Sequence, residues 1–377
     1  MNAWFDEDDV DFDEFRSIVE QRTAIAAYPN AVDLVSEVLV YRAQPGSKEL
    51  EAEWNRALGE GPGIIVIKGA YADASVVDAA TSVYEAIIEA ESANAEKGDH
   101  FGAPGANARI WNSLEKLAIA SPETFVQYFA NDTIATASRA WLGPKYQLTA
   151  QVNLVYPGGV AQQPHRDYHL GFQTNEEAAQ YPRQAHLLSP SLTLQGAVAH
   201  CDMPVESGPT MLLPHSQKYG PGYLAWRDPQ FIEYFEDHKV QLPLEKGDVI
   251  FFNPAVFHGA GENRSANVQR MANLLQVSSA FGRAMESIDR ARMCAAIFEP
   301  LKAASNRPNW SATDTANVIA ACAEGYAFPT NLDRDQPMYG LAPASQAELL
   351  TEAVSNSWSS SVFAQALEDW QSRRRTQ

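Results

Sequence analysis

The stretch Gln163-Pro164-His165-Arg166-Asp167-Tyr168-His169 sets an imidazole and a carboxylate two residues apart. In an extended segment, side chains at i and i+2 point to the same face. His165 and Asp167 can then hold one metal ion without a bend in the chain. Two N/O donors leave a first-row metal under-coordinated, and His258, in Phe257-His258-Gly259, is the best candidate for a third. Two histidines, one carboxylate and open positions make the facial triad of non-haem Fe(II) oxygenases. His169 is the rival ligand. On an extended strand it shares the face of His165 but lies too far along for one ion, so it reads as a neighbour of the metal shell or a substrate contact. His200 and His215 read as structural, and His100, His186 and His238 carry no spacing signal.

These side chains need strands to aim them. Tyr146 to Tyr156 reads as a strand with Gln151 and Asn153 on one face, and Ser191 to Cys201 as another with Thr193, Gln195 and Ala197 on one face. Thr210 to Pro214, Val240 to Leu244, Val249 to Phe252, Pro254 to His258 and Arg270 to Ser279 follow as short extended runs. Gly63 to Gly69 is an earlier β-branched run bounded by glycines. Seven or eight short strands joined by Gly/Pro turns predict a jelly roll, that is, a cupin-like double-stranded β-helix. Helical patterns at 48–60, 73–96 and 121–142, and again after Gly282, give an α+β chain with flanking N- and C-terminal helices. The organisation expected is one domain over 1–377. It has a solvated acidic arm at 1–15, a jelly-roll core at about 60–283, and a helical extension at 284–377 opening its last part with the Ser345–Glu348 capping box. Residues 98–112 read as a long loop rich in breakers, with Arg109 or Trp111 facing a substrate.

Arg270 heads a hydrophobic strand, and an unpaired buried guanidinium is costly. A dicarboxylate co-substrate would answer it bidentately, and so would an internal Asp or Glu. Arg264, in the turn Asn263-Arg264-Ser265, suits solvent.

The formal charge of −19 argues against nucleic acid and against an anionic membrane surface. The three cysteines, Cys201, Cys294 and Cys322, are too widely spaced for a zinc site and read as reduced thiols. With no basic leader and no apolar run of spanning length, a soluble cytoplasmic protein acting on a small molecule is expected.

Four motifs in order resemble the phytanoyl-CoA dioxygenase family of Fe(II)- and 2-oxoglutarate-dependent oxygenases. They are Pro164-His165-Arg166-Asp167, Glu206-Ser207-Gly208-Pro209-Thr210 to Leu213-Pro214-His215-Ser216, Lys246-Gly247-Asp248 to His258, and Asn263-x-Ser265 to Arg270. The resemblance covers roughly residues 60–283. It implies Fe(II) on His165, Asp167 and His258, O2 as oxidant, and 2-oxoglutarate as co-substrate with its far carboxylate on Arg270. Gln151, Asn153 or Thr193 would then hydrogen-bond its near end. Halogenating relatives lack the carboxylate ligand, so Asp167 points to hydroxylation. The block Pro214-His215-Ser216-Gln217 departs from the family's usual Gly-Ser/Thr-His. A cupin-like binding module, or a metal-dependent isomerase or dioxygenase without 2-oxoglutarate, is the alternative, and Arg270 is the residue that separates the two.

Overall fold

Ten strands form in the computed structural model, which describes residues 3–92, 107–338 and 340–376. They are β1 Asp33–Val35, β2 Val38–Arg42, β3 Ile64–Lys68, β4 Asn107–Ile110, β5 Gln147–Val155, β6 Thr193–Ala199, β7 Met211–Leu213, β8 Val249–Phe252, β9 Phe257–Gly259 and β10 Arg270–Ser278. Eight of them make one sheet in the order β1-β2-β3-β8-β6-β10-β5-β4, and β7 pairs with β9 in a smaller one. Every pairing is antiparallel except β2 with β3. Isolated bridges His165–His258, Leu212–Val240 and Met203–Leu244 extend the smaller sheet. The result is a double-stranded β-helix.

Period-two alternation divides the large sheet. Leu148, Ala150, Val152 and Leu154 of β5, with Met271, Leu275 and Val277 of β10 and Phe251 of β8, pack on helices in one core. The alternate residues, among them Gln151, Asn153, Arg270, Ala272 and Ala197, face the smaller sheet and line a cavity. A one-residue slip would exchange the two sets, so burial on the helix side fixes which side chains reach the cavity. Each fully buried Leu or Phe there contributes about 1.5–3 kcal/mol.

The helices on that face are α1 Phe12–Val19, α2 Lys48–Gly59, α3 Ala74–Ser92, α4 Ser113–Ala120, α5 Pro122–Phe129 and α6 Asp132–Leu142, followed by further helices including Arg290–Ser305, Ala312–Cys322, Gln346–Ser355 and Ser360–Arg374. Ser47 caps α2 by accepting from Leu50 N, and Ser345 and Glu348 form the reciprocal box that the sequence predicts. Ile297, Leu301, Leu350 and Phe363 share the core of β5 and β10, so the C-terminal extension is a wall of the main core.

Several expectations change. Residues 121–142 form two helices, because Asn131 adopts an extended conformation and caps α6 at Ile134 N. Within the 98–112 loop, 98–106 lie outside the described residues, and Asn107–Ile110 is a strand paired to β5, with Arg109 opposite Asn153. The β1–β2 hairpin was not legible, because Ser36 and Glu37 turn it at φ 49° and 69° where Gly or Asn would be the signal. The acidic start of the chain is packed, not a free arm. Asp11 caps α1 by accepting from Glu14 N, and the acids face water. Phe12 and Phe15, three apart, turn inward, and Phe15 stacks on Phe231 at 4.8 Å and on Phe257 at 5.2 Å.

Candidate metal centre

His165 and His258 face each other across an antiparallel bridge, each backbone N–H donating to the other's carbonyl at 2.9 and 3.1 Å. Their ring centroids are 4.5 Å apart. His165 Nδ1 lies 2.9 Å from Gln163 O and His258 Nδ1 lies 2.8 Å from Val256 O. A carbonyl only accepts, so both Nδ1 atoms carry the proton and both Nε2 lone pairs are free. Both Nε2 atoms face one carboxylate: His165 Nε2 is 3.6 Å from Asp167 Oδ1, and His258 Nε2 is 3.5 Å from Asp167 Oδ2. One ligand atom from each residue lies within 4.8 Å of the others. Neutral imidazoles and one carboxylate are the donor chemistry of a divalent first-row metal, so these residues fit the group.

Burial, then the neighbouring His258, lowers the His165 pKa. Burial raises the Asp167 carboxyl, but His165, His258 and Gln195 more than offset it, and the group stays well below the usual carboxylate range. Gln195 Nε2 donates to Asp167 Oδ2. Sequence reasoning placed Gln195 on the correct face but favoured its neighbour Thr193.

Arg166, between the two ligands, is the other residue sequence reasoning passed over. It is 2 % exposed, its Nη2 donates to the carbonyls of Ser216 and Tyr219, and its guanidinium lies 5.2 Å from the Tyr223 ring and 5.1 Å from the Phe257 ring. Gly222 makes room, since a Cβ there would come within 2.3 Å of the guanidinium. Ser216 Oγ accepts from Phe257 N at 2.8 Å. Ser216 therefore joins the turn bearing His165 and Asp167 to the strand bearing His258. The Pro214–Gln217 block, unusual in sequence, ties the ligand elements together.

Beyond Asp167 the chain leaves the extended path. Tyr168 and His169 have φ of 62° and 40° and enter a 3-10 turn. The shared-face expectation thus fails for His169. Its Nδ1 lies 2.9 Å from Ser189 Oγ, and the residue does not line the cavity.

The triad opens on a cavity of about 720 Å³. Gly196, Ala197, Ala199 and Ala272 give it a floor of small side chains. Arg270 enters it, 6 % exposed, and Nη1 donates to Ser207 O and Gly261 O at 3.1 Å each. No acidic side chain among the described residues pairs with it, and burial lowers its pKa to about 10. Arg264 is exposed, as its turn suggests. Asn153 lies opposite Ala272, and its Oδ1 is buried without a partner. Gln151 Oε1 accepts from Arg109 Nη1 at 3.4 Å, and Arg109 lies 5.0 Å over the Trp111 ring. Thr193 starts β6 opposite Ser278, at the far end of the sheet, and does not line the cavity.

The family model for phytanoyl-CoA dioxygenase matches residues 59–272. Dioxygenase trt7 of Aspergillus terreus is 32 % identical over 132 residues, 35 % of this chain and 41 % of that protein. Dioxygenase cdmD of Talaromyces verruculosus is 30 % identical over 128 residues, 34 % of this chain and 38 % of that protein. The matched stretch thus spans about two fifths of the length of these curated relatives. Among solved structures, the non-heme alpha ketoglutarate dependent carbocyclase SnoK from nogalamycin biosynthesis is 20 % identical with a TM-score of 0.44, covering 63 % of this chain and 88 % of that one. The epimerase SnoN is 21 % identical with a TM-score of 0.38, covering 60 % and 81 %.

Proposed function

We propose, on the premise that the chain belongs to the phytanoyl-CoA dioxygenase family, that it is an Fe(II)- and 2-oxoglutarate-dependent oxygenase that hydroxylates a small organic molecule. His165, Asp167 and His258 would hold the metal through two neutral Nε2 atoms and one carboxylate. Iron bound there would supply O2 activation coupled to decarboxylation of 2-oxoglutarate to succinate and CO2.

The protein's part is to hold, orient and exclude water. Gln195 keeps the Asp167 carboxylate turned to the imidazoles. The alanine floor leaves room for an extended dicarboxylate between the triad and Arg270. Arg270 would take its far carboxylate with the guanidinium edge that Ser207 and Gly261 do not occupy. The Asn153 amide, next to Ala272, would meet its near end, and Gln151, engaged with Arg109, is left for the substrate. Asp167 supports hydroxylation, because it fills the position a halide would need.

The observation that carries this reading is Arg270. A metal-binding module or an isomerase has no use for a buried guanidinium beside the metal without an acidic partner, and such a group is costly to keep. The test is succinate formation against 2-oxoglutarate concentration with Fe(II) and O2. The native protein should saturate, and Arg270→Ala should raise KM on the order of a hundredfold, with Arg270→Lys intermediate. An unchanged KM in both would return the chain to the alternatives.

A further inference from the structure

Arg270, the alanine floor and the triad account for only one part of the cavity. The remaining wall has a different chemistry. Trp111, Phe172, Trp226 and Met285 supply it, with Gln151 and Arg109 as its polar members. Phe172 is 60 % exposed and Trp111 39 % exposed, so both present open aromatic area at the mouth. Trp226 approaches the metal end, its ring 6.5 Å from that of His165. Aromatic faces are best covered by a flat partner, through stacked or edge-on contact.

The charge on the wall is as telling. The whole chain carries −19. Yet the described residues lining this cavity include Arg109, Arg166 and Arg270 and a single acid, Asp167, which the metal would claim. Acids that crowd the rest of the surface stay out of the one place where a cationic substrate would need them. Arg109 lies over Trp111 and reaches Gln151, so a cation and an amide sit at the edge of the aromatic wall.

We propose that the substrate is a flat, ring-bearing and mostly apolar molecule with an acidic or hydroxylated edge that meets Arg109, and that amines are excluded. This inference rests on the oxygenase reading for the location of the reacting end, but not for the wall itself. It displaces the small amine that an acidic chain would suggest, because net charge says little about one pocket.

Calorimetric titration of the full chain, loaded with turnover-silent Mn(II) and 2-oxoglutarate, tests it with four compounds: 2-naphthoate, 2-naphthol, 2-(aminomethyl)naphthalene and decanoate. The naphthoate should bind about tenfold or more tighter than the ammonium compound at pH 7, and tighter than decanoate. Trp111→Leu, a change at a half-open position that folding should tolerate, should weaken the ring compounds about tenfold and decanoate much less. Arg109→Gln should remove the advantage of naphthoate over naphthol. A carboxylate preference under threefold over the ammonium compound, or decanoate binding more tightly than naphthoate, overturns the proposal. Because no turnover is involved, these results stand apart from the succinate assay. Loss of 2-oxoglutarate dependence there would sink the oxygenase reading and leave the wall's selectivity measurable.

Discussion

On the helix-covered face of the large sheet, His200 sits between Thr81 Oγ1 and Tyr128 OH, each 2.8 Å away, and Asn273 reaches Tyr128 OH at 3.2 Å, with Tyr84 OH and Ser113 Oγ at 3.4 Å. On the cavity face, one residue along the same strands, Arg270 has no acidic partner among the described residues, and Asn153 Oδ1 and Gln195 Oε1 have no hydrogen-bond partner. Both faces bury polar side chains. One set closes on itself and contributes to stability. The other stays open, at a stability cost that a bound ligand would offset. Polarity inside the sheet therefore does not mark function; lack of an internal partner does.

The contrast breaks most sharply at the metal. His258→Ala should reduce bound divalent metal to background and succinate formation with it, while the melting temperature falls little, because the residue belongs to the open set. Metal analysis beside a thermal scan decides it, and a variant that retains stoichiometric metal would remove His258 from the centre.

Arg166 gives the next largest effect and sharpens the boundary between the sets, because it is closed by carbonyls and rings yet adjoins both ligands. Arg166→Met should weaken metal affinity by about 10–100-fold, the usual result of loosening what orients a ligand. Arg166→Lys should recover part of it by restoring one carbonyl bond. Phe298→Leu, far away in the helical core, serves as the control for mere destabilisation, and equal metal affinity in it and in Arg166→Met would leave Arg166 a packing residue.

The smallest effect belongs to the closed set and is one of pH. Burial lowers the His200 pKa to about 3. The folded imidazole stays neutral while the unfolded one takes up a proton below about 6.5. Its contribution is therefore fully present above about pH 6.5 and is lost as pH falls toward about 3, with a slope up to about 1.4 kcal/mol per pH unit. His200→Gln should flatten that limb of a stability-versus-pH curve and leave the 2-oxoglutarate KM alone. A limb of unchanged slope would show that other groups dominate acid unfolding.

The sequence made the strands legible because cavity and helices impose opposite patterns on alternate residues. It showed the HxD pair because extended spacing is a local property. It hid what depends on distant pairing. β4 joins β5 through residues that read as loop, Thr193 has the correct face but the wrong end of its strand, and His169 escapes the predicted geometry through two positive φ values. The acidic N-terminus misled because its charges outnumber the two phenylalanines that anchor it. The role of Ser216 was out of reach, since it depends on three segments meeting.

Strand order also has a temporal side. β10 lies between β5 and β6 and contacts both along most of its length. During synthesis those two strands emerge well before Arg270–Ser278, and each leaves its β10-facing edge unpaired until then. Such edges expose a nascent chain to aggregation, and long-range pairing is slow to form. The strand that carries the guanidinium is thus the keystone of the barrel. A chain halted before residue 270 should remain protease-sensitive, and pulse proteolysis of stalled ribosome complexes would show protection arising only once β10 has left the exit tunnel.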